Sequence, residues 1–290
     1  MAKKKAKKRN KNIEKLGMKR AQKRIKSSKN QLSSPWNDTN FMLGSVLILI
    51  ILFLVIGVIT AINGTLPIGR FIGPPSLVAY YGFDSCSGTI VQDYSGYNNH
   101  GTVYGATWSS GYFNKSLSFN QSYVSVPHSS SIGITNTNGI TIQAWVYPTA
   151  IAADMAIVSK IKYDWAESMG YELRLINGKP AFTLAYYGEN WGKTLQSLSS
   201  IPLNQWTHVA ATYDGYYMKI YVNGAQYVSA VRANRIIGSN THPLTIGKRT
   251  ESTITAYFNG KIDEVKLYNH ARTAAQIKAD AIANSYTSSC

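Results

Sequence analysis

The sequence has few of the residues on which metal-dependent and nucleophilic catalysis depend. Its two cysteines, Cys86 and Cys290, are too far apart to indicate a zinc knuckle or a Cys-x-x-Cys redox motif. The segment Gly188–Thr194 is one residue short of a P-loop, and it joins two predicted strands, so phosphate binding is not expected there. No serine lies in a GxSxG motif, and the five histidines form neither an HExxH nor an HxH pair: His100, His128, His208, His242 and His270.

Acidic residues are also scarce, since 14 Asp and Glu stand against 30 Lys and Arg, a formal net charge of +16. The imbalance is local. Residues 1–30 hold 14 of the basic residues and a single acid, Glu14, whereas residues 31–290 are nearly neutral. A block of like charge cannot bury enough apolar surface to fold alone, so residues 1–40 are predicted to be a disordered basic tail.

One hydrophobic run is long enough to cross a bilayer, Phe41–Ile62, with 22 uncharged residues. As a helix it reaches about 33 Å, against about 30 Å for a hydrocarbon core, and we therefore predict a single transmembrane helix. A buried core helix or a cleaved signal sequence is the alternative, but no clear small-x-small cleavage site follows the run. Because Lys and Arg stay on the cytoplasmic side, the amino terminus is predicted inside and the carboxyl-terminal domain outside.

The predicted partners of the tail follow from its position beside this anchor. Contact with anionic lipid headgroups is expected, at about 1 kcal/mol for each basic residue near the surface. Nucleic-acid binding is the weaker expectation, because the tail has no interleaved aromatic residues and no recognisable nucleic-acid-binding fold. Residues 63–76, in which Gly and Pro collect, are predicted to be a short linker.

Residues 77–290 are predicted to form one all-β domain. Short alternating runs are separated by turn dipeptides, which is typical of a sandwich or barrel. In Gly139–Pro148 both alternating sets of side chains are bulky, so this strand is predicted to be central and covered on both faces. The dipeptides Asn177-Gly178 and Asp214-Gly215 predict hairpin turns, and a capping box predicts a helix over Ala274–Ala283.

Six segments of this domain follow one another in a distinctive order: Leu77–Gly105, Ser116–Pro127, Ile140–Pro148, Gln205–Gly215, Met218–Gly224 and Phe258–Ala271. Together they resemble the successive motifs of a laminin G-like jelly roll, a branch of the concanavalin A-like lectin/glucanase folds. The resemblance covers nearly all of the domain. It implies two antiparallel sheets packed face to face, with the first and last strands as neighbours.

The resemblance also implies a structural calcium ion, because family members often hold one where the first and last strands meet. The preferred ligands are Asp84 and Asp263, with Asp93 and the Asn98-Asn99 pair as further oxygen donors. Backbone carbonyls would complete the coordination shell that Ca²⁺ prefers. The alternative is that Asp93 begins an Asx-type turn and Asp263 is a capped strand residue.

The neighbouring first and last strands that the resemblance implies would also bring the two cysteines close together. It would allow Cys86 and Cys290 to lie within the Cα separation of about 4.4 to 6.8 Å that a disulfide requires. Outside the membrane an oxidised pair would be stable. Free thiols, or an intermolecular bond through Cys290, are the alternatives.

Catalysis is not expected, and the domain is predicted not to be an enzyme. Glucanases on this type of fold place acidic residues at alternate positions of one strand, so that the carboxylates line one face. Asp263 and Glu264 are adjacent and are therefore expected to point to opposite faces. His208 alternates with Trp206 and Ala210, a pattern more typical of packing than of chemistry.

Ligand binding is predicted at two loops, which carry Trp165, Tyr187 and Trp191 beside Asp, Glu and Asn residues. Flat aromatic faces next to polar groups suit a sugar ring or a protein loop. Alternatively, these aromatics close the end of the sandwich. The sequence therefore predicts a membrane-anchored extracytoplasmic module that recognises carbohydrate or a cell-surface protein. A structural cell-envelope component without a soluble ligand, or a glycan-active enzyme, is the competing interpretation.

Overall fold

A computed structural model describes residues 76–135, 139–162, 168–186, 188, 192–227, 231–232, 235–249 and 256–282. All of them belong to one compact unit, Ile72–Cys290. Within these ranges no helix is both long and apolar enough to span a bilayer. The basic tail, the run Phe41–Ile62 and the linker lie outside the described residues, so the membrane anchor stays a prediction.

The described part of the domain consists of seventeen strands and one helix, numbered in chain order. They are β1 (Leu77–Tyr81), β2 (Ile90–Val91), β3 (Gly101–Tyr104), β4 (Thr107–Ser110), β5 (Lys115–Phe119), β6 (Tyr123–Val126), β7 (Ile140–Pro148), β8 (Met155–Lys162), β9 (Met169–Ile176), β10 (Lys179–Ala185), β11 (Lys193–Gln196), β12 (Thr207–Tyr213), β13 (Tyr217–Val222), β14 (Ala225–Gln226), β15 (Val231–Arg232), β16 (Leu244–Ile246), β17 (Gly260–Tyr268) and α1 (Ala274–Ile282).

The strands form two antiparallel sheets with a hydrophobic core between them, which confirms the predicted all-β sandwich. The nine-stranded sheet has the order β14-β13-β12-β7-β17-β5-β4, with β1 paired to β17 and β15 paired to β13. The eight-stranded sheet has the order β11-β10-β9-β8-β16-β6-β3-β2. The chain crosses between the sheets several times, as in a jelly roll.

Strand β7 lies at the centre of the nine-stranded sheet, between β12 and β17, and both of its faces are covered, as predicted. One face contributes Ile140, Ile142, Ala144 and Val146 to the core. On the other face Trp145 is only 6% exposed. Helix α1 covers part of this outer face, where Gln143 Nε2 donates to Asp280 Oδ2 at 2.8 Å.

Strand β17, the last strand, shares one of its edges between two partners. Its first residues, Gly260–Ile262, pair with β5, and its last residues, Val265–Tyr268, pair with β1. The first and last strands are therefore neighbours, as expected. The ladder with β7 is interrupted between Asp263 and Lys266, where Glu264 has φ 53° and forms a β-bulge.

The local turn and cap predictions are confirmed. Asn177 and Gly178 join β9 to β10 with φ values of 50° and 76°, the positive values that a tight hairpin turn requires. At the start of α1 the Thr273 hydroxyl accepts the Gln276 N–H at 3.3 Å, and the Thr273 N–H donates to Gln276 Oε1 at 2.9 Å. These reciprocal bonds are a capping box.

Candidate functional site

The strand directions bring several connections to one end of the sandwich, here called the loop end. Strand β9 pairs with both β8 and β10, and Gly170 lies opposite Ile161 on one side and Ala185 on the other. The connections that follow β8 and β10 therefore leave the eight-stranded sheet side by side. The chain also leaves β6 at this end and enters β7 after Gly139.

The predicted ligand-binding residues Trp165, Tyr187 and Trp191 belong to these two connections, but they lie outside the described residues. Their shared surface therefore stays a prediction. The two connections leave β8 and β10, which are separated in the sheet by β9 alone. This is the arrangement that a single binding surface would need.

The turn between β12 and β13 reaches the same end from the other sheet. The rings of Tyr186 and Tyr213 have centroids 6.2 Å apart, and the Tyr186 hydroxyl lies 3.7 Å from Met218 Sδ. On the turn itself Tyr216 is 51% exposed and Tyr217 is 43% exposed. The sequence predicted the hairpin but not these aromatic side chains as site residues, although two tyrosines directly after Asp-Gly were the available signal.

A buried lysine at the loop end joins the segment before β16 to the neighbouring strands. Lys160 is 1% exposed, and its Nζ donates to the carbonyls of Asn240 and His242. Asn240 Nδ2 in turn donates to the carbonyls of Lys160 and Met169, at 3.2 and 3.0 Å. Burial lowers the pKa of Lys160 to about 8. The residues before β16 are therefore tied to β8 and β9.

A network of four charged side chains lies on the outer face of the eight-stranded sheet. Arg249 binds both carboxylate oxygens of Glu172, at 3.0 and 3.1 Å, and also Asp154 Oδ2 at 2.6 Å. Arg174 Nη1 contacts the same Asp154 oxygen at 2.6 Å. Burial alone would lower the pKa of Arg249, but the two carboxylates hold it above its ordinary value. The network is locally neutral and joins separate strands, which indicates a structural role.

An acidic cluster occupies the junction where β1 and β5 meet along β17. Three oxygens surround Gly82: a methyl group placed on its Cα would lie 3.1 Å from Asp84 Oδ2 and 3.3 Å from both Glu264 Oε1 and the Tyr80 hydroxyl. The Tyr80 hydroxyl donates to Glu264 Oε1 at 2.8 Å. Lys266 Nζ lies 2.8 Å from Glu264 Oε2 and balances one charge.

Asp263 lies beside this cluster and is completely buried. Its Oδ2 accepts the main-chain N–H groups of Tyr112 and Phe113, each at 2.9 Å, and its Oδ1 accepts the N–H of Glu264 at 2.8 Å. The Tyr112 ring stacks on Trp145 with centroids 3.4 Å apart. Asp263 thus holds the turn between β4 and β5 against the outer face of β7.

The electrostatics of Asp263 reflect its surroundings. Its pKa is raised to about 8, mainly by burial and also by the neighbouring carboxylates of Glu264 and Asp84, while the N–H groups of Phe113 and Glu264 act in the opposite direction. A carboxyl group in this position holds a proton near neutral pH unless a cation lies close by.

The other two predicted calcium ligands have different surroundings. Asp93 Oδ1 accepts the N–H groups of Tyr80 and Ser95, and its Oδ2 accepts the Ser95 hydroxyl and the Asn99 N–H, all between 2.8 and 2.9 Å. These bonds are those of the Asx-type turn named above as the alternative. Asn98 is exposed and has φ 58°.

The cluster suits a hard cation only in part. Asp84, Glu264 and the Tyr80 hydroxyl supply oxygens on one side, and carbonyls or water would have to supply the rest. Across the described ranges, no three His, Cys, Asp or Glu side chains converge closely enough to hold a metal ion. Glu264 was not among the predicted ligands. The expectation that it points away from Asp263 was wrong, because the bulge interrupts the alternation of side chains.

The predicted disulfide concerns one described and one undescribed residue. Cys86 lies on an exposed turn after β1, whereas Cys290 lies outside the described residues. The bond between them stays a prediction.

Comparison with known proteins identifies relatives of the domain. Residues 118–278 match the family described as "Concanavalin A-like lectin/glucanases superfamily". The binding domain of Paraclostridial Mosquitocidal Protein 1 is similar in structure, with a TM-score of 0.58, 18% identity, and coverage of 71% of this chain and 52% of that one. Domain 4 of AbnA, a GH43 extracellular arabinanase from Geobacillus stearothermophilus solved in complex with arabinotriose, has a TM-score of 0.55 and 21% identity, covering 73% of this chain and 100% of that one.

Among curated proteins, Pappalysin-1 from Mus musculus is 36% identical over 88 residues, which are 30% of this chain. The matched region spans only 5% of the length of that relative. The chain likewise spans about half of the mosquitocidal binding domain, and at 18% identity that likeness concerns the fold alone.

Proposed function

The chain belongs to the concanavalin A-like lectin/glucanases superfamily, and we propose that its jelly-roll domain is a non-catalytic binding module that recognises carbohydrate or a cell-surface protein. In this proposal the domain is displayed outside a membrane by the segment Phe41–Ile62. The loop end of the sandwich is the binding surface, with Trp165, Tyr187 and Trp191 as its aromatic residues.

One observation carries the proposal. The connections after β8 and β10, which hold all three ligand-binding residues predicted from sequence, leave the two strands on either side of β9, at the same end of one sheet. Two structurally similar proteins give general support, since one is the binding domain of a mosquitocidal protein and the other was solved with arabinotriose. A fold alone does not determine function, so the site residues need a direct test.

The test uses the full chain in a mild detergent on an array of neutral and acidic oligosaccharides. Binding should be lost in Trp165→Ala and Trp191→Ala and retained in Trp36→Ala, a matched substitution in the predicted tail. If wild type binds no glycan and no surface protein but assembles into regular arrays, the domain is instead a structural envelope component.

The membrane arrangement is a separate part of the proposal. It is supported by the uncharged length of Phe41–Ile62 and by the concentration of Lys and Arg before it. An epitope placed after Cys290 should be accessible to antibody on intact cells, and one placed before Met1 only after permeabilisation. The reverse pattern would contradict the predicted orientation.

We also propose that a structural calcium ion occupies the junction of the first and last strands. Asp84 and Glu264 would hold it directly, since Asp84 Oδ2 and Glu264 Oε1 both lie beside Gly82. Asp263 would favour the ion through its charge while its own oxygens position the β4–β5 turn. A bound cation would offset the mutual repulsion of these carboxylates.

A further inference from the structure

Two stacked tyrosines lie on the outer face of the eight-stranded sheet. Val103 and Val124 point into the core, so the residues next to them, Tyr104 on β3 and Tyr123 on β6, point to the outer face. These two tyrosines are paired across the strands, and their rings stack with centroids 4.9 Å apart. Tyr104 is 49% exposed although Tyr123 covers one face of its ring, so the other face is open to solvent.

Lys248 lies on the other side of Tyr123. Its Nζ is 4.7 Å from the centroid of the Tyr123 ring and 5.6 Å from that of Tyr257, the residue with which it forms an isolated bridge. Contacts with two ring faces hold the ammonium group in place. Tyr104, Tyr123 and Lys248 are here called the outer-face row.

The charge of Lys248 differs from that of comparable lysines. Two of the other lysines that lie over tyrosine rings also pair with a carboxylate: Lys219 lies 4.0 Å from Asp214, and Lys266 lies 2.8 Å from Glu264. Within the described ranges Lys248 contacts the two rings and has no carboxylate partner. Its positive charge is therefore free to pair with an anion from outside.

The backbone that carries Lys248 is fixed by hydrogen bonds on both sides. The Lys248 carbonyl accepts the Thr245 hydroxyl at 2.6 Å. One residue earlier, the Gly247 carbonyl accepts the N–H of Phe258 at 2.9 Å. Because this segment is in place before a ligand arrives, little backbone entropy would be lost on binding.

The chemistry of the outer-face row suits an acidic sugar chain. The open ring face of Tyr104 can stack on the apolar face of a sugar ring, and the Lys248 ammonium can pair with a carboxylate or sulfate group. Thr102 and Ser125, paired on the same face one position further along β3 and β6, add hydroxyl groups that both donate and accept. An acidic peptide would use the charge but not the ring face.

The order of the strands sets the length of the ligand. Strand β6 lies between β3 and β16, so Tyr123 separates Tyr104 from Lys248. A ligand that touches both must reach across one tyrosine ring, which requires more than one sugar residue.

We infer that the outer-face row is a binding site for an acidic oligosaccharide, in which one sugar ring stacks on Tyr104 and an anionic group pairs with Lys248. This site goes beyond the proposed function, because it does not involve the loop end. The chain leaves β6 at the loop end, whereas Tyr123 is the first residue of that strand.

The test measures how fast each lysine of the full chain, in a mild detergent, is acetylated, with mass spectrometry to resolve the positions. The probes are hexasaccharides of galacturonate and alginate, which carry carboxylates, and of carrageenan, which carries sulfate esters. Each is compared with its uncharged methyl ester or desulfated form. At least one acidic probe should slow acetylation of Lys248 about threefold or more, and its uncharged form should not.

Reading single lysines separates this site from binding by the basic tail. Lys219 is the control position, because Asp214 already pairs with it, and its acetylation rate should not change. Protection by the carboxylate probes or by the sulfate probe then identifies the anion.

Removal of the stacking ring tests whether the site recognises a sugar. Tyr104→Ala should raise the probe concentration that half-protects Lys248 about three- to tenfold, because the ring contact is lost. Tyr227→Ala is the matched control, since Tyr227 is 45% exposed and follows β14 in the other sheet.

Three results would overturn the inference: no acidic probe protects Lys248, hexaglutamate protects it as well as the best glycan does, or Tyr104→Ala is protected like wild type. Protection should persist in Trp165→Ala and Trp191→Ala even where these variants lose binding on the array. Its loss there would assign the acidic glycan to the loop end and would contradict a separate site.

Discussion

Asp263 accepts the main-chain N–H of Tyr112 at 2.9 Å, although the two residues are 151 positions apart in the chain. This bond joins the last strand of the domain to the turn between β4 and β5. Because the Tyr112 ring stacks on Trp145, the same bond also closes the outer face of β7. The protonation state of one buried carboxyl group is therefore connected to the packing of three strands.

Replacement of Asp263 by Asn should flatten the dependence of stability on pH. The pKa of Asp263 is about 8 in the folded state and 3.8 in the unfolded state, so the folded protein binds this proton more tightly than the unfolded chain does. Asp263 therefore contributes its full share to the free energy of unfolding below pH 3.8, the unfolded-state pKa, and this contribution is lost as the pH rises through about 8.

Urea unfolding of wild type and Asp263→Asn at pH 5, 7 and 9, with chelator present, checks this expectation. The variant should be less stable by about 1 to 3 kcal/mol at pH 5, because an amide nitrogen cannot accept the N–H bonds of the turn. The difference should shrink toward pH 9. Parallel pH profiles for the two proteins would show that Asp263 does not titrate in this range.

Lys160 should make the free energy of unfolding rise with pH, whereas Asp263 makes it fall, and the rise should occur at higher pH. Its folded-state pKa of about 8 lies below the unfolded value of 10.5, so the unfolded chain binds more protons between these values. The free energy of unfolding attributable to this group therefore rises from pH 8 toward 10.5. Lys160→Met should remove the rise and cost about 1 to 3 kcal/mol at pH 7, because the carbonyls of Asn240 and His242 lose their donor. Chemical unfolding at pH 7 to 9.5 is the measurement, and Lys193→Met, at an exposed lysine, is the control. If the free energy of unfolding of Lys160→Met still rises with pH, another group causes the rise.

Calcium should stabilise the domain through the junction of its first and last strands. With Ca²⁺ at about a hundred times its dissociation constant, the free energy of unfolding should rise by about 2.7 kcal/mol, and chelator should reverse the gain. The double substitution Asp84→Asn with Glu264→Gln should abolish the response. Asp93→Asn should lower the melting temperature equally with and without calcium, because its carboxylate organises a turn. A calcium response that persists in the double variant would place the ion elsewhere.

Arg249 should be among the most sensitive positions for stability. Arg249→Met leaves the completely buried Glu172 without its bidentate partner and should cost about 3 to 5 kcal/mol. Adding Glu172→Gln should recover part of that loss, since it removes the uncompensated charge. The exposed pair of Lys219 and Asp214 is the comparison, and Lys219→Met should cost less than about 1 kcal/mol. Equal losses in Arg249→Met and Lys219→Met, measured by urea unfolding, would contradict a stabilising network.

The features that sequence predicted well are those that short-range chemistry determines. The Asn177-Gly178 turn and the capping box of Thr273 and Gln276 involve residues at most three positions apart. The two bulky faces of β7 could be recognised from alternation alone, and so could its central place in a sheet.

The features that sequence missed depend on contacts between distant residues or on breaks in regular geometry. Arg249 lies 77 positions from Glu172 and 95 from Asp154, and nothing near any of the three indicates their pairing. Glu264 joined the acidic cluster because a bulge displaced it, whereas alternation predicted the opposite face. Asp93 was assigned to the metal although its neighbours Ser95 and Asn99 supply the donors of a local turn.

The shared edge of β17 constrains the order in which the domain can fold. In the described part of the chain, β1 pairs with β17 alone, and Tyr81 lies opposite Val265. The first strand to emerge during synthesis therefore has no sheet partner until nearly the whole domain has followed it. Closing so long a loop is slow. The domain must be released from the ribosome almost in full before its sandwich can close, so a chain truncated before Val265 will leave its first strand unpaired.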